Sequence, residues 1–344
     1  MKLKKSFFIA LLLSVIALGY WEYHLRSQGY IAVIDDNKAL WAETYKKVQK
    51  ASSEDVVLLG SSRVHFDIQV DTWEKKAGIK PIMLASDGTT PTPVFKDIVN
   101  NTDYNGLVVI GIAPGLFFTP NSRDVFFWNR AAVRLEHYYE GTYAQYLNHK
   151  VSIPLENSFA FLNGNEEDWN DDVDLKTMLE QIRIGERAQS PIPPFYNFAK
   201  VDLDRNVTMF EKTETDTAFA NTIIKVWHFL GKGAPPAIKE PVIELYNELI
   251  PRFEARGGRV VFLRNPSTGG TRFGENMAIP RKDFYDEFLK QTNSKGYHFE
   301  DYEQLNQFDC PEESHLYTPD ARIFTAELVK IMMNDGLLIN TKTN

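Results

Sequence analysis

Cysteine is almost missing from this chain of 344 residues, which contains only Cys310. A single thiol excludes a disulfide within the chain and any zinc site built from several cysteines. It also excludes a lipid-modified cysteine near the N-terminal apolar run. A cell-surface protein without disulfides is compatible with a bacterial source.

Basic residues form no stripe beyond the first five residues, and the formal net charge is -8. We therefore expect no nucleic-acid partner. The chain has no internal repeat, no low-complexity tract and no histidine or carboxylate pattern with the spacing of metal ligands, so we expect neither a metal nor a cofactor. With 43% hydrophobic residues, the chain can bury one large core or two modest ones.

A short apolar segment, Phe7 to Trp21, follows a lysine-rich start. An aromatic border at Tyr20, Trp21 and Tyr23 favours an uncleaved membrane anchor, whereas the weak small-residue site at 17–19 fits a cleaved signal peptide. Both interpretations of residues 1–27 export the rest of the chain. We thus expect a body that is periplasmic or extracellular, membrane-anchored or secreted after cleavage, and carried on a helical stalk at 28–53.

Short aliphatic runs alternate with helical patterns on both sides of a central insertion. Each run is too short for a helix and suits a strand buried on both faces. Such βα alternation predicts an α/β fold, in which a parallel sheet has helices on both faces. The predicted strands are Val56 to Leu59, Pro81 to Leu84, Leu107 to Ile112, Arg259 to Leu263 and Tyr297 to Phe299.

The insertion, at about 117–240, is rich in aromatic and acidic residues and is expected to be largely helical. Its acidic run, Glu166 to Asp174, fits a solvated loop. The insertion either packs on the sheet as structure or acts as a lid that shapes a cleft for sugar or acyl chains.

Ser62 follows the first predicted strand in the sequence Gly60-Ser61-Ser62-Arg63, at the sheet edge where open α/β folds hold their ligands. A serine becomes a nucleophile when a base takes its proton and a third group orients that base. His315 is the candidate base and Glu312, three residues earlier, is the candidate orienting carboxylate. His65, on the turn of Ser62, is a weaker candidate base.

These segments together resemble the SGNH, or GDSL-like, hydrolase superfamily, and most of all its bacterial membrane-anchored members with a G-x-S-R motif. The resemblance covers about 54–118 and 255–335 and implies a three-layer α/β/α sandwich of flavodoxin-like type over 54–338, with a five-stranded parallel sheet. It implies that Ser62 is the nucleophile, that Ser62 and Gly88 supply N–H groups to the oxyanion hole, and that His315 is the base.

The chain departs from the family pattern at three positions. Ser61 stands where the family has an aspartate, Ala113 stands near the place of the oxyanion-hole asparagine, and Glu312 replaces the aspartate before the histidine. Losing one oxyanion donor can cost about 100- to 1000-fold in rate. The departure at Ala113 therefore favours a rival interpretation, in which the protein is a non-catalytic glycan-binding or scaffold subunit.

The resemblance implies a serine esterase or O-acyltransferase that forms a seryl ester. We expect its substrate to be an acyl ester, above all an acetyl ester, of a cell-envelope glycan, and a membrane acyltransferase is a candidate partner. Arg63 follows the first predicted strand and Arg264 ends the fourth. Each is a candidate for binding an anionic group of the substrate, or equally for pairing with a carboxylate of the fold.

Overall fold

The computed structural model describes residues 2–162 and 193–338, together with Leu179, Ile182 and Gly185. The strands, in chain order, are β1 (Val56–Leu59), β2 (Ile82–Met83), β3 (Leu107–Gly111), β4 (Ala199–Val201), β5 (Val207–Met209), β6 (Arg259–Arg264) and β7 (Lys295–His298). The helices are α1 (Lys2–Ser27), α2 (Lys38–Val48), α3 (Ser62–Asp67), α4 (Val70–Ala77), α5 (Thr92–Asn101), α6 (Pro114–Phe117), α7 (Phe126–Glu140), α8 (Tyr143–Glu156), α9 (Glu211–Thr215), α10 (Thr217–Gly233), α11 (Glu240–Glu254), α12 (Gly269–Ala278), α13 (Glu287–Gln291) and α14 (Thr318–Asn334).

The central sheet has five strands in the order β2-β1-β3-β6-β7, and every neighbouring pair is parallel. Counted among themselves, these strands have the order 2-1-3-4-5 of flavodoxin-like folds. The aliphatic runs of β1 and β3 are buried along their whole length, which explains why they lack polar alternation. The predicted α/β fold with a five-stranded parallel sheet is confirmed.

Helices cover both faces of this sheet because successive strand residues point to opposite sides. Val57 and Leu59 pack with α2, α5 and α11 on one face. Val56 and Leu58 pack with α3, α4 and α14 on the other. The layers are therefore those of an α/β/α fold. Because β1, β2 and β3 are parallel, their carboxyl ends lie at the same edge of the sheet.

The segment 28–53 differs from the stalk expected from the sequence. A helix does form at Lys38–Val48, but it packs against α7 and β2, and its apolar face is buried. Trp41 is fully buried and its Nε1–H donates to the carbonyl of Leu84 at 3.0 Å. The helical spacing of apolar residues reflects packing on the sheet, so α2 belongs to the body.

The insertion contains α7, α8, α9 and α10, as expected, but also an antiparallel hairpin of β4 and β5 that the sequence did not predict. A small third core joins this hairpin to α3 and α10 through Phe66, Phe198, Val207, Met209 and Ile223. The acidic run at 166–174 lies outside the described residues. The insertion is thus attached beside the helix that begins at Ser62.

The helix Leu3–Ser27 within α1 contains an 18-residue window with a mean hydropathy of 1.7, and none of this window is buried in the protein. By length and composition it can be a membrane anchor or a signal sequence. Its C-terminal end contacts the body, where Glu22 accepts hydrogen bonds from the N–H groups of Ala160 and Phe161 at 3.0 and 3.1 Å.

Candidate active site

The turn after β1 is shaped by a close approach between the sheet and α3. Gly60 has a φ of 159°, and a Cβ at this position would lie 2.5 Å from Cγ2 of Val64. A side chain at Gly111, in β3, would meet the same methyl group at 2.0 Å. Because both glycines let Val64 settle on the sheet, α3 begins directly after the strand with Ser62 as its first residue.

Ser62, His315 and Glu312 form one chain of hydrogen bonds, although Ser62 and His315 are 253 positions apart. The Oγ of Ser62 lies 2.7 Å from Nε2 of His315, and Nδ1 of His315 lies 2.9 Å from Oε1 of Glu312. A carboxylate can only accept, so Nδ1 carries the proton and Nε2 accepts from the hydroxyl of Ser62. The structure therefore brings together the three residues singled out in the sequence.

The carboxylate of Glu312 is fully buried and has three N–H donors. Its Oε1 accepts from the backbone N–H of His315 at 2.6 Å as well as from the ring, and its Oε2 accepts from Nε1–H of Trp227. The sequence did not single out Trp227, because α10 lies 85 positions away and no local pattern links the two. These donors fix both oxygens and hence the plane of the imidazole.

The environment of His315 favours its protonated form. Burial by itself lowers the pKa of the imidazole, but Glu312, through its charge and hydrogen bond, and the carboxylates of Asp67 and Asp87 together raise it above its ordinary value. The aromatic ring of Phe66 lies 4.5 Å from the imidazole, centroid to centroid. A proton taken from Ser62 would therefore be held on His315 in a shielded place.

Asp67, at the end of α3, is a buried carboxyl beside the candidate catalytic residues. Its Oδ1 accepts from the N–H of Leu316 at 2.9 Å, which ties the helix of Ser62 to the segment of His315. Burial raises the pKa of Asp67 to about 7, against the lowering effects of His315, Leu316 and Arg63. Nothing in the sequence pattern marked this residue.

The two carboxylates near Glu312 in sequence point elsewhere. Glu313 has a left-handed backbone, with φ of 73°, and its Oε2 accepts from the N–H of Thr271 at 2.9 Å. Asp309 is exposed. Of these three carboxylates, Glu312, three residues before His315, is thus the one that binds the imidazole.

Gly88 and Ala113 line the same cavity as Ser62. Gly88 has a φ of 63°, which favours glycine, and the side chain of Arg130 passes within 4.0 Å of the place that a Cβ would take. Ala113 has no side-chain donor, so backbone N–H groups at Ser62 and Gly88 are the candidates for an oxyanion hole.

The two candidate arginines differ in position. Arg63 lines the cavity, where its Nη2 pairs with Glu275 at 2.6 Å and its Nε donates to Oγ of Ser314 at 3.3 Å. Arg264 is buried and is not among the residues that line the cavity, because its guanidinium binds Glu275 and Ser267. Burial would raise the pKa of Glu275, but the two arginines lower it to about 2.

His65 is buried and does not serve Ser62. Its Nδ1 lies 3.0 Å from the carboxylate of Asp87, and its Nε2 lies 3.1 Å from the carbonyl oxygen of Arg205. Both ring nitrogens are therefore occupied, and His65 joins the loop after β2 to the insertion.

The cavity beside Ser62 has a volume of about 260 Å³. Its walls come from the body and from the insertion. Eight large apolar or aromatic side chains line it: Phe66, Leu116, Phe126, Phe127, Phe195, Phe198, Trp227 and Leu230. The insertion therefore contributes to the walls of the candidate site.

Within residues 2–162 and 193–338, His, Cys, Asp and Glu form no group of three or more that could hold a metal ion. Family models and curated proteins offer no match to this chain. What the protein does must therefore be inferred from the geometry of its own residues.

Proposed function

We propose that the protein is an SGNH-type serine esterase or O-acyltransferase, which acts on an acyl ester through a seryl-ester intermediate. The observation that carries this proposal is the hydrogen-bonded chain from Ser62 Oγ through His315 to Glu312, with spacings of 2.7 and 2.9 Å at the wall of a cavity. A serine, a base and an orienting carboxylate in this arrangement are what acyl transfer requires.

In the first half of the reaction, Ser62 Oγ attacks the ester carbonyl carbon while His315 Nε2 takes the hydroxyl proton. The carbonyl oxygen becomes an oxyanion, which the N–H groups of Ser62 and Gly88 would stabilise. Collapse of this intermediate breaks the bond to the alcohol, which leaves with the proton from His315. Glu312 stabilises the imidazolium between these two transfers.

In the second half, water or another hydroxyl attacks the carbonyl carbon of the seryl ester while His315 Nε2 takes its proton. The bond between the acyl carbon and Ser62 Oγ then breaks, and Ser62 Oγ takes the proton back from His315. Water gives hydrolysis and a second alcohol gives transfer, with the same residues in both cases. What decides between them is whether the cleft admits water or holds an acceptor.

The substrate that we propose is an acyl ester of a cell-envelope glycan, with a membrane acyltransferase as a candidate partner. The support is the apolar helix α1, which is suited to hold the body at a membrane or to export it. The lysines that precede the apolar run support the orientation that we propose, with the body outside the cytoplasm.

The direct test is labelling of the purified full chain with a fluorophosphonate probe, together with turnover of p-nitrophenyl acetate. Ser62→Ala should abolish both, because the alanine has no oxygen to attack. Ser61→Ala is the matched control: Ser61 is buried beside Ser62, and its Oγ has no hydrogen-bond partner in the described part of the chain.

Two results would contradict the proposal. Equal labelling of Ser62→Ala and the unchanged protein would place the nucleophile elsewhere. No labelling of the folded, unchanged protein would favour the non-catalytic glycan-binding subunit, which the missing donor at Ala113 already makes a reasonable rival.

A further inference from the structure

The cavity beside Ser62 has an aromatic part in its wall as well as polar side chains. One part of its wall is built from aromatic rings that α7, α10 and the segment before β4 supply, among them Phe126, Phe198 and Trp227. Apolar surface of this kind favours a group that leaves water at little cost, and each buried methylene contributes about the same increment to binding.

Several polar side chains at the wall are already bonded within the protein, whereas Ser61 Oγ and Arg63 Nη1 have no hydrogen-bond partner in the described part of the chain. Two such atoms are fewer than the hydroxyl groups of a sugar ring. Arg63 pairs with Glu275 and donates to Ser314, and Thr271 Oγ1 donates to Glu313. A sugar ring enclosed here would bring several hydroxyl groups that need partners, and each unpaired one would be costly. The wall therefore suits a hydrocarbon group better than a sugar.

The size of the cavity leads to the same choice. Its volume of about 260 Å³ lies below the range of roughly 300–1,000 Å³ that is usual for sites enclosing a drug-sized ligand. A glycan must also continue outward from the ester, whereas an acyl chain ends. The enclosed space thus fits the acyl side of the ester.

We propose that this cavity binds the acyl group of the substrate and that the acyl group is a hydrocarbon chain longer than acetyl. This inference rests on the proposed function, since it takes Ser62 as the point of attack. It replaces the acetyl group expected from the sequence with a longer chain, and it assigns to the insertion the selection of that chain.

The test compares p-nitrophenyl acetate, butyrate, hexanoate and octanoate on the full chain in lipid nanodiscs, which avoid detergent in the cavity. The leaving group is constant, so the acyl chain alone varies. We expect kcat/KM, corrected for alkaline hydrolysis of each ester, to rise by about fourfold per methylene until the cavity is filled.

Gly231 offers a way to fill the cavity without touching Ser62, His315 or Glu312. It lies in α10 and lines the cavity, and a Cβ built on it meets nothing within 4 Å. Gly231→Leu should lower kcat/KM for octanoate at least 10-fold more than it lowers kcat/KM for acetate, because the leucine side chain takes up space that only the longer acyl chain reaches. Gly233→Leu is the matched control: it is on the same helix, also has open space, is not among the lining residues, and should change neither.

The outcomes separate this proposal from the function on which it rests. If acetate is the best ester and Gly231→Leu slows all four esters equally, the acyl-chain proposal is wrong, while labelling of Ser62 still supports the esterase. If the folded protein neither reacts with a fluorophosphonate nor turns over any ester, both proposals are wrong.

Discussion

Glu312 is the residue on which the geometry of the base depends, since its carboxylate accepts from both the ring and the backbone of His315. Glu312→Gln should keep the fold but lower kcat by roughly 10⁴-fold, the cost of the analogous change in a serine protease, because an amide can hold the wrong tautomer. The measurement is kcat/KM on p-nitrophenyl acetate.

Glu313→Gln and Asp309→Asn are the controls for this prediction. Glu313 can still accept from Thr271 after the change, and Asp309 is exposed, so both variants should stay within about threefold of the unchanged protein. A crippled Asp309→Asn beside an active Glu312→Gln would mean that the orienting carboxylate is misassigned.

Asp67 gives a prediction about pH. Attack by Ser62 needs a neutral His315, so kcat/KM should fall as the pH drops below the pKa of His315, which its carboxylate neighbours raise above the ordinary value. Asp67 carries its negative charge above its own pKa of about 7, so Asp67→Asn removes that charge there and lowers the pKa of His315 in this range. The acid limb of the profile should therefore move to lower pH, which rates between pH 5 and 9 would reveal.

The matched control for Asp67→Asn is Asp320→Asn, at a carboxyl near the start of α14 that is not among the carboxylates named above as raising the pKa of His315. The control should leave the limb where it is. If Asp67→Asn lowers kcat/KM equally at every pH and leaves the acid limb where it is, Asp67 has a structural role only.

At single positions, the sequence was most informative where the chemistry is local. Glu312 and His315 are three residues apart, and Ser62 follows a readable strand, so spacing and position identified all three. Trp227 and Asp67 act through distant partners, which no pattern along the chain reveals. Arg264 was correctly placed at the end of a strand, and pairing with a carboxylate was one of its two alternatives, but no pattern along the chain identified Glu275 as that carboxylate.

Among the elements, α2 carries the sharpest consequence for stability. Trp41 is fully buried and hydrogen-bonded to Leu84, so Trp41→Ala should destabilise the body by about 3–5 kcal/mol. That loss corresponds to a decrease in Tm of roughly 6 to 20 °C. Gln49→Ala, at the exposed end of the same helix, is the control and should leave the Tm within about 1 °C. Equal Tm values for the two variants would instead favour the original interpretation of 28–53 as a stalk.

Element by element, the prediction held where strands are short, aliphatic and buried on both faces, as in β1 and β3. The prediction was incomplete where an element is stabilised by packing on segments that are distant in the sequence. The hairpin of β4 and β5 has partly exposed residues with no long aliphatic run, and α2 has the same periodicity that a free amphipathic helix would have.

For the whole molecule, the prediction concerns attachment. We expect the chain to sediment with membranes and to resist an alkaline carbonate wash, because the helix Leu3–Ser27 is long enough to span a membrane and contains an apolar window of 18 residues. N-terminal sequencing of the native protein completes the test. A soluble mature chain that begins near Tyr20 would instead identify α1 as a cleaved signal.

The 253 positions between Ser62 and His315 also determine how long after Ser62 the ribosome synthesises His315. A ribosome adds roughly 5 to 20 residues each second, so the serine exists for about 10 to 50 s before its base has been synthesised. During that interval a nascent chain can fold its early strands, yet the hydroxyl of Ser62 lacks the base that we propose for it. The acyl transfer that we propose at Ser62 is thereby postponed until the late part of the chain has been made and has folded back onto the early part.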